Sequence, residues 1–155
     1  MGLSMLDLET LGLVALAMLL GAIIGLEREF ADKPAGLRTH MLVSGAAALF
    51  VPLGSTVLQH FVQSFNSELV QADPVRIIES VITGISVLGA GTILHHRSEN
   101  EIEGLTTAAS IMFTTGLGMA VALKRITLAI GATVLAIITL RLVGLVEDWL
   151  IRRHS

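Results

Sequence analysis

Residues 10–29 read TLGLVALAMLLGAIIGLERE. From Thr10 to Leu26 no side chain carries a charge, and the run then stops on Glu27-Arg28-Glu29. Its length approaches the roughly 20 residues that cross a bilayer at a rise of about 1.5 Å per residue. A secretory signal peptide would open on basic residues and close on a small-residue cleavage site. Here Asp7 and Glu9 precede the run and a charged cluster follows it, which predicts a retained helix.

Four more runs of the same kind follow. Charged clusters mark off predicted spans over residues 10–26, 39–58, 75–94, 105–123 and 126–146. Backbone groups in lipid must be satisfied within the protein, and these continuous runs lack the alternation of barrel strands. The predicted fold is all-α, an integral membrane bundle of about five helices forming a single domain over residues 1–155. The whole composition agrees: 53% of the 155 residues are hydrophobic, only 15% are charged, and the mean hydropathy is +0.78. The chain holds no cysteine, which excludes disulfides, thiolate metal sites and a cysteine nucleophile. A net charge of -3 makes nucleic acid a poor partner.

Placement of Lys and Arg sets orientation. Of the 10 such residues, all but Arg76, Lys124 and Arg125 fall inside if the 27–38 turn is cytoplasmic. The expectation is an outer amino terminus and an inner carboxyl terminus. Trp149 and the Arg152-Arg153 pair then suit the inner interface, where Arg141 can snorkel.

Glycines suggest which helices pack closely. Gly21 and Gly25 form a small-xxx-small pair in the first helix, Gly84, Gly89 and Gly91 crowd the third, and Gly104 precedes the fourth. Polar residues form stripes as well. Glu79, Thr83 and Ser86 share one face of the third helix, and Thr107, Ser110 and Thr114 share one face of the fourth. Those two faces could meet in a seam, but the favoured expectation is that the hydroxyls bond their own helix or a neighbouring one. Arg76 stands three residues before Glu79, where it can pair with it.

Gly36-Leu37-Arg38-Thr39 and Gly104-Leu105-Thr106-Thr107 each open a helix after a short charged loop. They suggest two hairpins in one orientation, as in parallel membrane repeats, or simply shared capping by Thr39 and Thr107. Around the first turn, Glu27, Arg28 and Arg38 read as an ion-pair knot in preference to an anion site, with Glu27 paired to Arg38. The 95–103 loop gathers His95, His96, Glu99, Glu101 and Glu103, but without metal-site spacing. A solvated loop is expected, with no metal, no cofactor and no catalytic group.

Four stretches, taken in order, carry a family resemblance: GLERE (25–29), AGLRTH (35–40), LGAG (88–91) and GLTTAAS (104–110). The chain resembles the MgtC/SapB family of bacterial inner-membrane proteins, and the likeness covers its first four helices. It looks like the family's membrane domain without the soluble carboxyl-terminal domain of longer members. The resemblance implies a location in the bacterial inner membrane and a link to growth at low magnesium and survival inside host cells. It also implies modulation of other membrane machinery, so the expected partners are lipid, a second copy or another inner-membrane protein. The chain departs from the family pattern at Ser80, Ser86 and Val87 and from the virulence-associated subgroup at Thr106 and Phe113, differences that weaken any transfer of the virulence role. A small transporter or channel is the alternative, and an enzyme is not expected.

Overall fold

The computed structural model describes residues 5–64, 73, 75–95, 97, 98, 101, 102 and 104–143. Helix α1 spans Met5–Phe30, α2 Leu37–Ser64, α3 Val75–His95, α4 Leu105–Ala122 and α5 Ile126–Ile138, which runs on into a π-helical turn, Thr139–Val143. The rest of the regular structure described is a two-residue antiparallel pairing of Arg97–Ser98 with Glu101–Ile102. Four of the helices are long and apolar enough to cross a membrane, and Ile126–Leu142 is a shorter apolar one. The protein is an all-helical membrane bundle.

Helices α1 and α2 overrun the apolar stretches that foretold them. Helical hydrogen bonding does not end where hydrocarbon ends, and no breaker stands between Leu26 and Phe30 or between Leu58 and Ser64. Pro52 sits inside α2, where the Ser55 hydroxyl donates to the carbonyls of Val51 and Pro52 and that of Thr56 to Pro52. Residues 144–155, with Trp149 and the terminal arginines, lie outside the described residues, as do the side chains of the 95–103 loop.

Two turns use one stop signal. After α1, Asp32 adopts φ 54° while its N–H bonds the Glu29 carbonyl and that of Lys33 bonds Arg28. After α4, Lys124 adopts φ 58°, its N–H on Val121 and that of Arg125 on Ala120. Both are Schellman ends, which satisfy last-turn carbonyls with the next amides. Lys124, awkward as an external charge, also pairs with Glu9 at 2.5 Å, tying the start of α1 to the end of α4.

The core lies where α1, α2 and α4 meet. Ala17, Leu20, Ala48, Val121 and Ala129 form its centre, and Ala35, Val43 and Ile111 extend it toward the α1–α2 turn. Half of the α4 span is buried in the protein but only 6% of the α3 span. Glycine makes the first contact possible. A Cβ on Gly21 would stand 2.5 Å from the His40 carbonyl oxygen, and one on Gly25 would stand 2.7 Å from the Leu37 Cα. Gly118 lies so near the Ser44 carbonyl that no side chain fits there.

The expectation of dense packing around α3 is corrected. Gly84 and Gly91 face open space, and only Gly89 has a neighbour, Ala108, 3.5 Å from where its Cβ would be. Glycine composition alone does not distinguish a packed face from an open one.

Candidate functional site

Periodicity brings charge into the core. The buried residues of α1 include Ala17, Leu20, Gly21 and Ile24, and the same stripe carries on to Glu27 and Arg28 at its last turn. These two are 8% and 4% exposed. An isolated charge at such depth is costly, so the pair must compensate itself. The Arg28 Nε donates to Glu27 Oε2 at 2.6 Å and Nη2 donates to Oε1 at 2.9 Å, a fork that matches the carboxylate plane.

The expected Glu27–Arg38 pair is therefore corrected to Glu27–Arg28. Arg38 is exposed on the outer side of the first turn of α2. Neighbours on a helix do not ordinarily face each other, yet a long guanidinium can fold back onto the adjacent carboxylate when both end on the buried stripe. Glu29 serves a different purpose. Its Oε2 accepts the Leu37 N–H at 2.7 Å, capping α2 across the turn. A Cβ on Gly36 would collide with that same carboxylate.

Helix α2 has its own buried stripe, His40, Val43, Ser44, Ala47 and Ala48. His40 is wholly buried. Its Nδ1 lies 2.9 Å from the Gly36 carbonyl and its Nε2 lies 3.0 Å from the Ser110 hydroxyl of α4. A carbonyl only accepts, so Nδ1 carries the hydrogen. In the neutral ring Nε2 then only accepts, so the single Ser110 hydroxyl hydrogen serves either Nε2 or the Thr107 carbonyl 2.8 Å away. Reading the residues one by one missed His40. Its place in the stripe at i, i+3, i+4, i+7 and i+8 was the available signal.

The polar seam is displaced as well. Thr107, Ser110 and Thr114 are buried, and Ser110 is bonded to α2. On the other side, Glu79 and Thr83 are exposed, and the hydroxyls of Thr83 and Ser86 bond carbonyls of their own helix. Helix α3 meets α4 through Gly89 on Ala108, and Ile85 packs against the cluster of Ala35, Val43 and Ile111. The seam is thus α2–α4, because the small and apolar face of α4 turns to α3. Glu79 and Arg76 are exposed and form no ion pair with each other. Thr39 is partly buried and Thr106 exposed.

The two glycine-led starts act alike. The Gly36 carbonyl accepts the His40 N–H and the Gly104 carbonyl accepts the Ala108 N–H. No side chain caps α4, which corrects the expectation for Thr107. Gly104 holds φ 95°, a left-handed conformation in which a side chain is strained. The GLERE, AGLRTH and GLTTAAS stretches therefore meet at one end of the bundle in a single bonded cluster.

The model of the MgtC family matches residues 14–149, which takes in all of these stretches. The chain belongs to the MgtC family. Among its relatives, an uncharacterised protein of Haemophilus influenzae is 39% identical over 140 residues, 90% of this chain and 58% of the relative. YhiD of Escherichia coli K12, named as a candidate magnesium transporter, is 39% identical over 128 residues, 83% of this chain and 57% of the relative. The protein MgtC of Salmonella typhimurium is 38% identical over 119 residues, 77% of this chain and 46% of the relative. The chain thus matches only about half the length of these relatives. No solved structure matches it.

Proposed function

We propose that this family member is a non-enzymatic, multi-pass protein of the bacterial inner membrane that modulates magnesium, ion or energy homeostasis through other membrane proteins. It does so as a homo-oligomer, with another inner-membrane protein, or both, its amino terminus outside and its carboxyl terminus inside. The observation that carries this reading is the division of polar groups. In the α1–α2–α4 core the charged and imidazole groups are paired, as in the Glu27–Arg28 fork and the His40–Ser110 link, and among the described residues only the Ser44 hydroxyl is buried without a partner, while Glu79 and Thr83 of α3 point away from it. Polar residues on membrane helices ordinarily face protein or water, so an outward polar stripe favours a partner on α3.

Extraction in mild detergent from cells grown at low magnesium tests the reading. A defined membrane partner or a second copy is expected to come with the native chain and to be lost with Glu79→Leu and Thr83→Leu. A bare monomer in both cases would overturn it.

A small magnesium transporter is the second reading, favoured by the name of the Escherichia coli relative. Its expected route, a seam between α3 and α4, loses support from the burial of Thr107, Ser110 and Thr114 on the α2 side.

A further inference from the structure

A groove of about 400 Å³ opens between α1, α4 and α5, near the end of the bundle that holds the α1–α2 turn. Ile24, Ala109, Phe113, Ala132 and Ala136 form its walls. The groove exists because small residues line up on α4 and α5, where the two helices would otherwise fill the space between them. Thr106, Ser110 and Thr139 also border it, but the Thr139 hydroxyl donates to the Leu135 carbonyl and that of Ser110 lies within bonding distance of His40 Nε2 and the Thr107 carbonyl. The surface offered is almost wholly hydrocarbon.

At the lip, α5 changes to the π-helical turn Thr139–Val143. Arg141 lies in that turn, one residue beyond the lining residue Leu140, exposed and without an ion pair to any described residue. A cation at the end of a spanning helix reaches for the interface, where lipid phosphates are its natural counter-ions. Apolar trough and exposed cation are therefore neighbours in sequence.

We propose that this groove holds one acyl chain of an anionic glycerophospholipid, with Arg141 on its phosphate. Size favours a lipid over a second helix. A helix about 10 Å across takes up about 400 Å³ in each 5.4 Å turn, so the groove admits one turn at most, whereas a flexible chain can lie along it. The site holds whether the bundle regulates or transports, since neither activity enters the argument.

Native mass spectrometry of the delipidated chain tests it, with phosphatidylglycerol, phosphatidylcholine of the same acyl chains, or glycerol phosphate added back. One phosphatidylglycerol per chain is expected, bound about fivefold more tightly than phosphatidylcholine. Glycerol phosphate alone should not bind. Ala136→Leu, which fills the groove with methylenes' worth of volume, should weaken both lipids about tenfold. Arg141→Gln should abolish the headgroup preference and keep phosphatidylcholine bound. Undiminished lipid binding by a folded Ala136→Leu variant would overturn the proposal, as would a change in oligomer mass with lipid binding intact, which would make the occupant a second copy. If Ala136→Leu does not fold, Arg141→Gln decides alone: a preference equal to that of the unaltered chain would overturn it.

Discussion

The α1–α2 and α3–α4 hairpins begin their second helices with nearly the same residues, yet one is sealed and the other stands half open. In the first, Gly21 and Gly25 bring α1 against the backbone of α2, and the Glu27–Arg28 fork and His40 are buried beside them. In the second, α3 touches α4 at Gly89, Ile85 packs on the cluster of Ala35, Val43 and Ile111, and Gly84 and Gly91 look outward. Helix α2 and helix α4 share the centre, so the difference lies in α1 and α3. Close packing comes from where glycines fall relative to a neighbour, and the number of glycines in a helix does not determine it.

The sharpest way to break this comparison is to unpair the buried charge. Arg28→Met should cost about 3–5 kcal/mol, enough to remove folded protein, because it strands the Glu27 carboxylate. Glu27→Leu in the same chain should recover most of that loss, whereas Arg38→Met should stay within about 0.5 kcal/mol. Thermal unfolding in detergent reads all three. Additive effects of the Glu27 and Arg28 changes would mean the fork does not hold.

Next come the glycines. Gly21→Leu is expected to cost about 3 kcal/mol, since the obstruction is backbone that cannot move aside. Gly84→Leu should change stability by less than about 0.5 kcal/mol. Equal losses, measured by the same unfolding assay, would show that α3 is covered in the assembled protein.

The link between the hairpins should be worth less. His40→Ala is expected to cost about 1–3 kcal/mol, and Ser110→Ala should cost less once His40 is gone than it does alone, because the two share the His40–Ser110 bond. Smallest is the α2 cap: Glu29→Ala should cost about 1 kcal/mol, seen as a modest fall in Tm, because only one amide loses its partner.

Helix number and all-α class were legible because charge clusters punctuate the apolar runs. Where the helices end was less so, since Met5–Glu9 and Gln59–Ser64 continue a helix in which no proline or glycine stops it. Stripes on α3 and α4 were read correctly as faces, but a period says which residues share a face and not which helix it meets. That is why an α3–α4 seam stood open beside bonds within each helix, while the link of α4 to α2 through His40 and Ser110 was not legible. The Glu27 partner was missed for a similar reason. Spacing rules for exposed helices discount adjacent residues, and the fork forms only because burial forces the nearest opposite charge into use.

Magnesium flux into proteoliposomes containing only this chain tests the functional account most directly. A closed α1–α2–α4 core predicts uptake no faster than in protein-free vesicles, unchanged by Glu79→Ala or Thr107→Val. Saturable uptake that either substitution abolishes would contradict it and make the bundle a transporter.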